Sequence, residues 1–118
     1  AATVTLIRIG LYTVAANGDM TLVASTPNDT ALFASTYTAY TKALSVGYTF
    51  VKGQRYAAAI IEVATTPANL YGASGFVSNA GKTPRICSTK TGLSDLPATQ
   101  TDAGLTGDNE KIFWIAFS

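Results

Sequence analysis

Residues 5–26, TLIRIGLYTVAANGDMTLVAST, decide the fold class. Two apolar runs flank Asn17-Gly18, a dipeptide suited to a tight hairpin because both central residues of a type I′ turn need positive φ. Pairing Ala16 with Asp19 sets the register outward: Leu11 faces Ala24, Thr13 faces Leu22 and Ala15 faces Met20. One face of the hairpin is then expected to carry Ile7, Ile9, Leu11, Met20 and Leu22. The other carries Arg8, Tyr12, Val14 and Val23. A one-residue slip would mix these sets, so the pattern itself specifies a register.

Downstream, Pro27, Asn28 and Asp29 mark a turn, and a short helical turn over 31–34 is compatible with the sequence. YTAYTKALS, residues 37–45, alternates and predicts a Thr-rich strand. In YTFVKGQRYAAAIIEVA, residues 48–64, Lys52 to Arg55 separate an extended approach from a further strand, with Gly53 free to take positive φ. On that strand Ala57, Ala59, Ile61 and Val63 share one face, and Tyr56, Ala58, Ile60 and Glu62 the other. Apolarity on nearly both faces predicts a central strand whose second face another sheet or a neighbouring chain covers. From Pro67 onward Gly, Thr, Asn, Asp and Pro dominate, the signature of long functional or connecting loops. The closing KIFWIAFS is expected to be a buried strand, with Phe113, Ile115 and Phe117 on one face and Trp114 in the core or at a subunit interface. Short strands broken by turn chemistry predict an all-β chain, an antiparallel β-sandwich of jelly-roll-like type formed as a single domain over residues 1–118.

Composition excludes several chemistries. The 118 residues are 47% hydrophobic and only 13% charged, against about 25% charged in an ordinary soluble domain. Thr, Ala and Ser take the place of charges, giving a hydroxyl-rich surface suited to packing on like chains or binding uncharged sugars. Net charge is +1, and the scattered basic residues make no stripe for a phosphate backbone, so nucleic acid is not an expected partner. Histidine is absent, which removes the commonest neutral-pH general base, its nucleophile pairs and the usual transition-metal ligand. One cysteine, Cys87, allows no internal disulfide and no thiolate metal cage, and suits a small buried hydrophobe better than a nucleophile. No run reaches the roughly 20 apolar residues that span a bilayer, so no membrane insertion is expected. AATVTLIRIG lacks the features of a signal peptide and opens directly into a strand pattern, as if it were the C-terminal part of a longer chain.

Catalysis on a glycosidic bond would require two convergent carboxylates, drawn from Glu62, Asp95, Asp102, Asp108 and Glu110. Glu62 is either a buried acid or an outward strand residue, and the loop acids suit turns. DAGLTGDNE, residues 102–110, lacks the alternating ligand spacing of a calcium loop. Neither a catalytic residue nor a metal or cofactor is therefore assigned, and the expectation is a non-enzyme. The aromatics able to stack on sugars are Tyr37, Tyr40, Tyr71, Phe76 and Trp114. Tyr71 and Phe76, with Asn69, Asn79, Lys82 and Arg85 nearby in sequence, make the candidate ligand-binding platform for a glycan.

The order of RIGLYTVAANGDMTLVAST, YTFVKGQRYAAAIIEVATTPANLYG, LPAT and FWIAFS resembles the C-terminal β-sandwich of bacteriophage minor tail and tail-fibre (receptor-binding) proteins. The likeness runs through Gly10-Leu11-Tyr12, Asn17-Gly18, Leu22-Val23-Ala24, Thr26, Gly53, Tyr56, Ala59, Thr65-Thr66, Leu70-Tyr71-Gly72, Leu96-Pro97-Ala98 and Trp114. It departs at the start, where that family has further strands before the hairpin. The resemblance implies a virion-surface domain at a tail or fibre tip, often a homotrimer. Its partners would be copies of itself, other virion tail or fibre proteins, and host cell-surface polysaccharide. The alternative is a decoration or fibre-assembly module with no specific ligand.

Overall fold

The computed structural model describes residues 2–70, 72–73, 87–107 and 112–118. The chain is all-β. Its long strands are β1 (Ala2–Val14), β2 (Met20–Ser25) and β3 (Arg55–Thr66). Two-residue strands follow: β4 (Gly72–Ala73), β5 (Ser88–Thr89), β6 (Thr99–Gln100), β7 (Thr106–Gly107) and β8 (Ile112–Phe113). The main antiparallel sheet has the order β3-β1-β2-β6 and curls into a half-barrel; β4 pairs with β8 and β5 with β7 in two separate ribbons.

β1 is the spine of this sheet. Ile7 and Leu11 are buried on one face and Tyr12 and Val14 on the other, and Leu32 joins the buried set from a loop. Each such aliphatic side chain contributes about 1.5–3 kcal/mol by leaving water. The expected central strand, β3, instead lies at the end of the strand order. Among the described residues it pairs on one side only, and Tyr56 to Ala64 are all half-buried. Among the described residues, the alanines of β3 therefore mark a partly covered strand with one strand neighbour rather than two.

The hairpin forms where expected but by another turn. Gly18 N–H donates to Ala15 O at 2.9 Å, and Ala15 N–H to Asp19 O at 2.8 Å. Ala16 and Asn17 are thus the central pair, and Gly18 follows in the left-handed region at φ 89°, the three-residue loop closed by a glycine bulge. The register next to the turn is Val14↔Met20, Thr13↔Thr21 and Tyr12↔Leu22, one residue from the expected pairing. Val23 then bulges, and Leu11↔Ala24 is restored as the sequence predicts. Met20 and Leu22 consequently share a face with Val14 and Tyr12, not with Leu11.

β2 stops at Ser25 because Pro27 has no N–H to continue the ladder. Side chains replace the missing rungs. Ile9 N–H donates to Thr26 Oγ1 at 3.0 Å and Ile7 N–H to Asn28 Oδ1 at 2.9 Å. Thr26 N–H and Asp29 N–H return to the carbonyls of Ile9 and Ile7. Thr26 is the one buried polar side chain among the described residues. Beyond it the chain makes a long excursion, closed at its base where Ser45 N–H donates to Ser25 O. Residues 37–45, expected as a strand, lie inside this excursion without strand pairing. Gly53 does take positive φ, 84°, at the turn into β3.

Candidate functional site

Of the six residues proposed as a binding platform, Asn69 is exposed on the stretch that leaves β3. Tyr71, Phe76, Asn79, Lys82 and Arg85 fall outside the described residues. The described chain offers a different exposed aromatic, Tyr37, in the excursion between β2 and β3.

That loop is built from Asp29 outward. Asp29 Oδ1 accepts from Ala31 N–H, its carbonyl accepts from Leu32 N–H, and Oδ2 takes Lys42 Nζ at 2.7 Å. The Lys42 hydrogen bond, then the Ala31 amide, hold the Asp29 carboxyl below its ordinary pKa. Leu32 N–H to Asp29 O and Ala34 N–H to Ala31 O form the short helical turn expected here, and Leu32 drives into the core. Phe33 then adopts φ 65° and sets its ring edge-on to Tyr40, centroids 5.5 Å apart. The Tyr40 hydroxyl accepts from Ser35 N–H at 2.6 Å and donates to Ser35 O at 3.2 Å, clipping the loop across five residues.

Between these clips Tyr37 sits at φ 56°, 86% exposed, flanked by the hydroxyls of Thr36 and Thr38. A bulky residue in the left-handed region is costly, of order 1–3 kcal/mol, and persists where the surroundings fix it. The result is an aromatic ring presented to solvent on a pinned, uncharged stretch, since residues 33–41 carry no ionisable acid or base other than tyrosine. Tyr37 and Tyr40 stand among the stacking aromatics named from the sequence, but apparent strand alternation conceals the loop that FASTYTAY forms, and Tyr37 lies outside the candidate platform expected there.

A second aromatic surface lies at the other end of the excursion. Tyr48, Phe50 and Tyr56 pack edge to face with centroids 4.9–5.8 Å apart, and Phe117 reaches Phe50 at 6.2 Å. The Tyr48 and Tyr56 hydroxyls lie 3.2 Å apart, and this bond, followed by desolvation, raises the Tyr48 pKa. Phe50 is half exposed, and Val46 and Val51 more so. The C-terminal segment departs from expectation: among its described residues only Ile112–Phe113 is strand, and Trp114 is 82% exposed, not core. Along residues 113–118 exposure still alternates, with Phe113, Ile115 and Phe117 the more covered set. Extended backbone keeps the expected face pattern without a ladder.

The acids resolve individually. Glu62 is half-buried; its Oε2 accepts from Ala68 N–H at 2.9 Å, while Oε1 is enclosed without a partner. Asp95 Oδ1 accepts from Leu96 N–H and Oδ2 lies 3.6 Å from Arg8. Asp102 opens a single 3₁₀ turn, Asp102–Gly104, and its N–H donates to Asp19 Oδ1 at 2.9 Å. Asp108 and Glu110 lie outside the described residues. Cys87 is half-buried. Among the described residues no three acidic, Cys or His side chains gather as a metal site, and no helix is long and apolar enough to cross a membrane.

Compared with known proteins, the chain matches no protein family, no curated protein and no solved structure.

Proposed function

We propose that this chain is a non-enzymatic domain of a bacteriophage virion, in a tail or fibre, that binds glycan on the host surface. The carrying observation is Tyr37, a solvent-facing ring in strained backbone, clipped by Tyr40 and Asp29 and bordered by hydroxyls. Such a ring offers a flat apolar face to the C–H face of a neutral sugar while hydroxyls meet the sugar's own. The low charge of the chain agrees with an uncharged ligand. In this reading the half-barrel is part of a jelly-roll-like sandwich, and the domain works on the virion surface as a homotrimer beside other tail or fibre proteins. Asn69, Tyr71, Phe76, Asn79, Lys82 and Arg85 remain the further candidates for glycan contact in this reading, all but Asn69 lying outside the described residues.

A second reading rests on Trp114, Phe50, Val51 and Val46. Phe50 belongs to the ring cluster of Tyr48, Tyr56 and Phe117, and an exposed apolar patch, where such side chains join, is suited to packing on other chains, as a decoration or fibre-assembly module with no specific ligand would require.

Labelled protein is tested for saturable binding to host cells, with purified cell-surface polysaccharide as competitor. Binding displaced by polysaccharide and weakened at least about fivefold by Tyr37→Ala, the loss of one aromatic anchor, supports the adhesin. Absent binding by a folded oligomer, on hosts that the parent virion infects, favours the assembly module.

A further inference from the structure

Asn17-Gly18 is the one Asn-Gly step in the chain. In a flexible peptide this step is the most prone of all to deamidate, because glycine has no Cβ to shield its nitrogen. Gly18 N attacks Asn17 Cγ and forms a C–N bond. The Cγ–Nδ2 bond breaks, and Nδ2 leaves as ammonia with the proton lost from Gly18 N. Water then opens the cyclic imide at either carbonyl, giving Asp or isoAsp. No electron is gained or lost.

The folded hairpin opposes each part of that reaction. The Gly18 N–H that must attack is spent on Ala15 O at 2.9 Å. Asn17 is exposed to water, yet both ends of its amide are held by residue 19. Oδ1 accepts from Asp19 N–H at 3.1 Å, and Nδ2 donates to Asp19 Oδ2 at 3.1 Å. Over the glycine sits Asp102: a Cβ on Gly18 would come within 2.8–2.9 Å of three of its side-chain atoms. Asp19 Oδ1 meanwhile receives Asp102 N–H. The attacking nitrogen, the carbon under attack and the group that docks the turn are therefore coupled through Asp19.

We propose that Asn17 is a deamidation site held silent by the hairpin turn, whose conversion unlatches the turn from the Asp102–Gly104 segment. Asp at 17 places a carboxylate oxygen where Nδ2 now donates, against Asp19 Oδ2. The two acids repel, and Asp19 is drawn from Asp102 N–H. IsoAsp adds a methylene to the backbone of the turn and breaks the Gly18-to-Ala15 bond.

The test follows amide-to-acid conversion at residue 17 by peptide mass spectrometry. Intact chain is incubated at neutral pH, folded or in urea. Folded chain should convert at least about tenfold more slowly, because reaction waits for local opening. Equal rates, or an Asn17 that survives in the unfolded chain, overturn the proposal. Asp19→Ala, with its fold checked by circular dichroism, should convert faster than wild type; an unchanged rate removes the clamp. Should Asp19→Ala not fold, Asn17→Asp decides the second half through amide hydrogen exchange. Faster exchange at Asp102 supports unlatching, and wild-type exchange there overturns it.

Discussion

Leu96 fills the space that a side chain at Gly10 would need. A Cβ on Gly10 would lie 2.7 Å from Leu96 Cδ1, 3.1 Å from Leu22 Cδ1 and 3.3 Å from Tyr12 Cε2. The same loop is tied down on either side of the contact: Tyr12 OH donates to Pro97 O at 2.8 Å and Leu22 N–H to Ala98 O at 2.8 Å. The Gly10-Leu11-Tyr12 and Leu96-Pro97-Ala98 motifs are thus two halves of one clamp that holds the 95–98 segment across the hairpin.

Because the atoms in the way are side-chain ends that can shift, Gly10→Ala should destabilise the chain only by about 1 kcal/mol, the low end of overpacking losses. Leu96→Ala in the same chain should recover part of that loss, a coupling that chemical denaturation of the double-mutant cycle would measure. Simple additivity of the two losses would show that Leu96 moves aside freely.

Tyr12 titrates late. Burial, then the neighbouring Asp95 carboxylate, push its pKa up to about 12 from an ordinary 10.0. The unfolded chain releases this proton first, so the contribution is complete below pH 10 and is lost as pH rises from 10 to about 12. Tyr12→Phe should remove that part of the alkaline fall in stability. Ultraviolet titration of wild type should show a late-ionising tyrosine that Tyr12→Phe lacks.

Thr26 tests the side-chain rungs. Thr26→Val keeps shape but leaves Ile9 N–H without an acceptor, a loss of about 1–3 kcal/mol. Thr26→Ser keeps the oxygen and loses one methyl, about 0.8 kcal/mol by transfer. Urea unfolding of both variants separates the two effects, and the valine variant should be the less stable.

Asp29 and Lys42 set an acid response of the Tyr37 loop. The Asp29 pKa is lowered from 3.8 by Lys42 and the Ala31 amide, so its contribution is present above about pH 4 and is lost as pH falls through the lower folded value. Lys42→Met should loosen residues 33–40 at neutral pH, seen as faster amide exchange at Ser35. Below the folded pKa of Asp29 wild type and variant should converge.

Much of this architecture is legible in the sequence because turns are written in single residues. Asn17-Gly18 marks the hairpin, Gly53 the entry to β3, and Leu11 finds Ala24. The bulge at Val23 is invisible to counting, since one extra residue leaves both apolar runs intact while exchanging the partners of Tyr12 and Thr13. The alanines of β3 mislead for a related reason: a pattern reports how apolar a strand is, not how many neighbours it has. Tyr37 is among the stacking aromatics named from the sequence, but its loop setting escapes because alternation in YTAYTKALS mimics a strand, whereas Asp29, Phe33 and Tyr40 settle that stretch by local bonds and left-handed φ. Trp114 reads as a core or subunit-interface residue and is exposed in the single chain, where among the described residues of its segment only Ile112 and Phe113 pair with another strand.

The hydrogen bond from Ser45 to Ser25 has an evolutionary consequence. The chain leaves the sheet and returns to it at one point, so the residues in between form a cassette whose ends are fixed by the scaffold. Sequence can be exchanged or lengthened between Phe33 and Thr41, beyond the core residue Leu32 and before Lys42, at little cost in loop closure, which grows only logarithmically with length. One constant frame could then carry many differently shaped tips, and transplanting a tip between such frames would need the two serines, the Thr26-Asn28 rungs, the Asp29–Lys42 pair and the core side chain Leu32 kept in place.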